Sequence, residues 1–244
     1  MLDFIDFIEK TNNATEEEEI FQQFQIALEK LGFDRVLYSL MTDHPSIGKE
    51  AGHGIMRNYP DDWMKYYTEK QYVEIDPVRR HVMLSSQPFH WSEMGKNIPY
   101  SREQVRLINE SKEAGLKHGV GLGIHCPNSE SVGLGFASSD PSVEVTQSTL
   151  SLIKAVANQF HFAYSEFQKQ RGQSKETPKV NLTRREREVL QWCAVGKSLS
   201  ETAEILGISN SAVDYFMRNI FAKLEVNSKT FAVVKAIKYG LITV

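Results

Sequence analysis

The chain has 244 residues and a formal charge of −3, with 41% hydrophobic and 24% charged residues, the proportions of a globular protein long enough for two domains. No apolar run approaches the roughly 20 residues that span a bilayer. The start Met1-Leu2-Asp3-Phe4 lacks the basic opening of a secretory signal, so a cytoplasmic location without membrane attachment is expected. Cys126 and Cys193 are too far apart in the chain to suggest a disulfide or a four-ligand zinc site, and the seven histidines show no metal spacing.

Taken in order, residues 3–10 form a short amphipathic segment. Thr15 to Glu18 reads as a capping box opening a helix that runs to Leu31 and stops at Gly32, with Ile20, Phe24, Ala27, Leu28 and Leu31 as its buried stripe. Residues 35–42 alternate as a strand, and 44–54, rich in glycine, read as a loop. Tyr59-Pro60-Asp61-Asp62 starts a helix that places Trp63 and Tyr67 four apart on one face, a spacing that by itself is more usual for core aromatics than for ligand walls. Asp76-Pro77 interrupts the chain, because the residue before proline is pushed out of the helical region. A short helix at 78–84, a capped helix at 101–114 and a strand pair at 119–126 and 132–138 follow. A long helix at 145–169 carries Leu152, Val156, Phe160 and Ala163 along one face. Helices that lead and close while strands fill the middle predict an α/β/α sandwich around an antiparallel sheet for residues 1–170. Residues 171–181, polar and holding Gly172 and Pro178, are expected to be a linker.

Residues 182–244 differ in composition as well as pattern. From Lys175 onward there are 11 Lys/Arg against 7 Asp/Glu, whereas the preceding part has 17 against 24. A weakly basic tail on an acidic body suits a nucleic-acid contact confined to the tail. Four helices are expected. The first is opened by the box Thr183–Glu186 and ended by Gly196, the second is capped by Ser198, and the turn Gly207-Ile208-Ser209 leads to the third. In that third helix Val213, Phe216, Met217, Ile220 and Leu224 point inward, leaving Ser211, Asp214, Tyr215, Arg218, Asn219 and Ala222 outside. Arg184, Lys197, Arg218 and Lys223 would neutralise phosphates, while Asn210 and Ser211 could reach base edges. Asp214 would repel the duplex unless it accepts from a cytosine amino group or pairs with Arg218. A helical protein-docking module would share this amphipathicity.

Leu182-Thr-x-Arg-Glu186-x-Glu-x-Leu190-x-Trp192, then Gly196-Lys197, Ala203-x-x-Leu206, Ile208-Ser209, Val213 and Lys223-Leu224 closely resemble the LuxR-type helix-turn-helix. The resemblance implies double-stranded DNA as a partner, RNA polymerase as a further one, and an architectural role for Glu186, Leu190 and Gly196. Where the family usually has Thr-Val-x-x-His, this chain has Ala212-Val213-Asp214-Tyr215-Phe216, so its operator should not be borrowed from relatives.

In the N-terminal part Tyr59, Trp63, Tyr67, Asp76-Pro77, Trp91 and Gly119 resemble the autoinducer-binding domain of acyl-homoserine-lactone receptors. That resemblance implies an N-acyl homoserine lactone as ligand, no other cofactor, and a homodimer. Trp63 would hold the ring carbonyl, Asp76 the amide N–H and Tyr59 the acyl carbonyl, with Tyr67 and Trp91 as walls and Gly119 admitting close approach. A buried Asp76 without such partners would burden the empty pocket. Residues 145–169 and 229–239 are the expected dimer contacts. An enzyme is not expected, since there is no Gly-x-Ser-x-Gly elbow and no His-x-His cluster.

Overall fold

The computed structural model describes residues 2–94, 99–140, 142–173 and 180–243. Its helices are α1 (Phe4–Asn12), α2 (Glu17–Glu29), α3 (Asp61–Glu69), α4 (Pro77–Val82), α5 (Trp91–Met94), α6 (Arg102–Glu113), α7 (Gln147–Gln170), α8 (Arg184–Ala194), α9 (Leu199–Leu206), α10 (Asn210–Leu224) and α11 (Lys229–Lys238). Its strands are β1 (Arg35–Leu40), β2 (Gly52–Arg57), β3 (Phe89–His90), β4 (His118–His125) and β5 (Ser131–Ser138). The chain forms two compact units. Apart from the turn at Pro127–Ser129, they divide between Lys175 and Glu176, inside the stretch 174–179 of the expected linker that lies outside the described residues.

The first unit is built on an antiparallel sheet of order β2-β1-β5-β4-β3. Alternation gives its two faces different compositions. One face presents Val36, Tyr38 and Leu40 of β1, Val120, Leu122 and Ile124 of β4, and Val132, Leu134 and Phe136 of β5. These side chains are buried against α2 and α7, where Phe24 and Phe160 stack at 4.1 Å. On the other face β4 and β5 present Gly119, Gly121, Gly123, Gly133, Gly135 and Ala137, and β1 presents Leu37 and Ser39. There Tyr59, Trp63, Met64, Tyr67, Tyr72, Leu107 and Leu116 make a separate apolar cluster with Leu37 and Ala137. The architecture is the expected α/β/α sandwich.

Details depart from expectation for identifiable reasons. Helix α2 is capped one residue later than Thr15, by Glu16, whose box partner is Glu19; the Glu19 carboxylate also accepts from the Thr15 N–H at 2.8 Å. The 44–54 loop is shorter than expected, because β2 begins at Gly52 and pairs with β1. On α7 the buried stripe is Leu150, Ile153, Val156, Ala157, Phe160, Ala163 and Tyr164. Leu152 falls one position off it and is 41% exposed, so it leaves the face assigned to it.

The second unit packs α8 to α11 around Val189, Leu190, Val213, Met217, Ile220, Leu224, Ala232 and Ala236. Two of its helices open as the sequence predicts, with Thr183 and Ser198 forming reciprocal boxes with Glu186 and Glu201, and Ser209, read as part of the turn, also caps α10. Gly196 ends α8 at φ +90°, and a Cβ there would meet nothing within 4 Å. Its requirement is therefore conformational.

Candidate functional site

The glycine face of the sheet is the floor of a cavity of about 530 Å³ in the first unit, within the range of small-ligand sites. All seven residues singled out in the sequence line it: Tyr59, Trp63, Tyr67, Asp76, Pro77, Trp91 and Gly119. They come from the β2–α3 connection, α3, the start of α4, α5 and β4. The missing side chains on the floor are what let these elements descend. A Cβ at Gly119 would lie 1.9 Å from the Trp91 ring, and one at Gly135 would lie 2.8 Å from the Tyr59 hydroxyl.

Asp76 performs two tasks. One carboxylate oxygen caps α4, accepting the Val78 N–H at 2.8 Å and the Arg79 N–H at 3.4 Å; the other accepts the Tyr67 hydroxyl at 2.9 Å. Burial raises its pKa above the usual carboxylate range, and these hydrogen bonds and the Arg79 charge only partly oppose that rise. The expected burden on an empty pocket is thus corrected: protein donors already satisfy Asp76, and Tyr67 holds the carboxylate as well as forming a wall. The unsatisfied groups are elsewhere. The hydroxyls of Tyr59 and Tyr100 and the Trp91 indole Nε1 are buried with no hydrogen-bond partner among the described residues. Burial, with Asp76 nearby, pushes the Tyr59 hydroxyl well above its ordinary pKa, so it stays a neutral donor.

Sequence reasoning missed much of the remaining lining, including the polar residues Ser39, His53, Arg79 and Tyr100. His53 lies in the stretch read as loop, and its ring stacks on Tyr67 at 4.8 Å. Burial, with Arg79 and Arg57 adding to it, lowers its pKa to about 4. The only available signal was the inward parity of Ser39 on β1. The roof is fastened by polar contacts: the Tyr66 hydroxyl donates to Glu110 of α6 at 3.2 Å, as does Arg106 Nε at 2.7 Å, and Gln104 donates to the Ile75 carbonyl at 2.9 Å.

In the second unit the turn after Gly207, at φ +63°, sets α10 so that Asn210, Ser211, Asp214, Tyr215 and Arg218 are exposed on its surface. The expected cations are not equivalent. Arg184 pairs with Glu188 at 3.0 Å and Lys197 with Glu201 at 3.2 Å, both on the surface, where such pairs exchange readily for another anion. Lys223 instead holds the buried Glu186 carboxylate at 2.6 Å, and Glu186 also accepts the Thr183 N–H at 2.7 Å. Lys223 therefore joins α10 to α8 and is already engaged. Its charge and the Thr183 hydrogen bonds outweigh the cost of burying Glu186, and the carboxylate pKa is lowered. Leu190 is fully buried in the core. Of the four cations only Arg218 makes no ion pair among the described residues, so the suggested Asp214–Arg218 pair is not formed.

Comparison with known proteins places two family models on these units. Residues 16–164 match the autoinducer-binding domain, and residues 180–236 match the bacterial regulatory proteins of the luxR family. The transcriptional activator protein SolR of Ralstonia nicotianae is 32% identical, with 98% of each chain covered. The crystal structure of Escherichia coli SdiA superposes with a TM-score of 0.64 at 24% identity, covering 99% of this chain and 100% of that one. SdiA in complex with octanoyl-rac-glycerol gives 0.62 at 23% identity, covering 99% and 97%.

Proposed function

Because the chain belongs to the LuxR family of quorum-sensing transcriptional regulators, with an autoinducer-binding domain and a DNA-binding helix-turn-helix, we propose that its cavity holds an N-acyl homoserine lactone and that occupancy governs a homodimer binding a palindromic DNA site. The observation that carries this reading is the set of buried donors without partners, Tyr59, Trp91 and Tyr100, beside the buried Asp76. A lactone offers such donors two carbonyls to accept, brings a further N–H to the Asp76 carboxylate, and has an apolar chain for the remaining wall. Tyr59 donates to the acyl carbonyl, Trp63 to the ring carbonyl, and Trp91 and Tyr67 enclose the ring.

The dimer reading draws on exposed apolar side chains. Phe231, Val234 and Ile237 form a stripe at helical spacing on α11, and Phe162 is 56% exposed on α7. A dimer presents two α10 helices to successive half-sites. Arg218 is the first phosphate contact in this reading; Arg184 and Lys197 are recruited from surface pairs, and Asn210, Ser211, Asp214 and Tyr215 are available to bases. As a transcriptional regulator in the cytoplasm, the protein would also meet RNA polymerase. Among the described residues no helix is long and apolar enough to cross a membrane.

The test is thermal unfolding of the full-length protein with lactones of graded chain length. A ligand at a hundred times its Kd adds about 2.7 kcal/mol of stability, so at least one lactone should raise the midpoint by several degrees. Stabilisation by none of them would overturn the reading. Asp76→Asn keeps an α4 cap but loses the charge, and should weaken lactone binding while the second unit stays folded. A monoacylglycerol belongs in the same panel, because the relative SdiA has been solved with octanoyl-rac-glycerol, whose ester carbonyl and acyl chain suit the same donors. Stabilisation by that amphiphile alone would replace the lactone with it.

A further inference from the structure

One polar cluster in the cavity lies beside the residues assigned to the lactone head group and is not itself among them. Ser39 of β1, His53 of β2 and Arg79 of α4 meet at the wall next to Tyr67. His53 Nδ1 lies 3.3 Å from the Ser39 hydroxyl and 3.3 Å from Arg79 Nη1. Arginine can only donate, so Nδ1 is an acceptor and the ring proton sits on Nε2. The Ser39 oxygen already accepts the Gly54 N–H at 2.8 Å, which leaves its own hydrogen for His53. The His53 Nδ1 lone pair and the Ser39 hydrogen are therefore engaged from within the cluster.

What remains is mostly donors: the His53 Nε2–H and the other N–H groups of Arg79, beside one lone pair of Ser39. Arg79 makes no ion pair among the described residues, although it lines a largely apolar cavity. An arginine in such a place is matched by an oxygen acceptor and by nothing aliphatic.

Strand register locates the cluster relative to the head-group donors. Gly135, beneath the Tyr59 hydroxyl, pairs with Leu37, and the next floor position, Gly133, pairs with Ser39. Ser39 is thus two residues along β1, about 7 Å, from the row that carries Tyr59. An acyl chain whose carbonyl is held by Tyr59 and which runs along the floor toward Met41 passes this wall.

We propose that Ser39, His53 and Arg79 form a second polar subsite that selects acyl groups carrying a hydrogen-bond acceptor, so that the preferred lactone bears an oxygen on its acyl chain. The proposal rests on the lactone reading above and refines it. His53 acts as the neutral spacer that orients Arg79, consistent with its lowered pKa.

The experiment measures affinities of the full-length protein, from thermal-shift titrations, for octanoyl-homoserine lactone, its 3-oxo form and a form ending in a carboxylate. At least one oxygen-bearing lactone should bind ten-fold or more tighter than the plain one, the effect of a hydrogen bond to a charged donor. Arg79→Met should abolish that advantage while leaving the plain lactone within a few-fold. Equal or better binding of the plain lactone by the natural protein overturns the subsite yet leaves the lactone reading intact. Failure of every lactone overturns both. An advantage that survives Arg79→Met also overturns the subsite, as does an equal loss for all three lactones, which would mean that Arg79 acts through Asp76. Arg79→Gln, still a donor, should retain part of the preference and serves if the methionine variant does not fold.

Discussion

The two faces of the sheet in the first unit come from the same strands and differ only in residue parity. Even-numbered positions such as Val120, Leu122, Leu134 and Phe136 are filled and sealed by α2 and α7. Odd-numbered positions such as Gly119, Gly121, Gly133 and Gly135 are vacated, and aromatic side chains from other elements come down toward them around the cavity. A strand has two independent faces, so one can be close-packed while the other is kept short of atoms. Stability and ligand capacity are thereby separated residue by residue within one β-hairpin.

The strongest way to break this division is to weaken the packed face. Phe136 is fully buried with Phe24 and Phe33 edge-on to it. Phe136→Ala should cost about 3–5 kcal/mol, measured by urea unfolding without ligand; a loss under about 1 kcal/mol would mean that this face is not the stabilising one. On the cavity face, Gly119→Ala must displace the Trp91 ring. It should cost about 1–3 kcal/mol and remove the thermal shift given by a lactone, whereas Phe136→Ala should keep a shift wherever it still folds. If Gly119→Ala retained the full ligand shift, the floor would not control the pocket.

A smaller effect compares a histidine near each face. His161 of α7 meets the Tyr38 hydroxyl at 2.8 Å on the packed side, and His53 sits on the cavity side. Burial first, then nearby positive groups, lowers each pKa to about 4. The unfolded chain takes up protons near pH 6.5 and the folded one only near 4, so stability is full above about 6.5 and is lost as pH falls through this window. Each histidine contributes at most about 1.4 kcal/mol per pH unit. His161→Gln and His53→Gln should each flatten the slope between pH 6.5 and 4.5, read from urea midpoints; an unchanged slope in both would place its source elsewhere.

Much of this organisation was readable in the sequence because it is local. Capping boxes at Thr183 and Ser198 need only three-residue spacing, and the run Gly119 to Ile124 displays the parity directly. Strand β2 was hidden by Gly52 and Gly54, which lower strand propensity although pairing to β1 overrides it. Leu152 and Ile153 are adjacent apolar residues, and only packing decides which faces inward. The contacts Ser39–His53–Arg79 and Glu186–Lys223 span tens of residues between different elements, so no local spacing announces them. The aromatic and acidic residues of the cavity were legible through family resemblance, whereas their hydrogen bonds were not.

The double engagement of Asp76 governs how this cavity can be dissected. The oxygen that starts α4 and the oxygen held by Tyr67 belong to one carboxyl group, so deleting it removes a helix cap and a recognition point together. An alanine at 76 would therefore confound folding with affinity, and a null phenotype from it would be uninterpretable. Asparagine separates the two, because its amide can still cap while the anion is gone. In screens of variants, position 76 will thus look intolerant for a mixture of reasons, and only near-isosteric exchanges there report on chemical sensing.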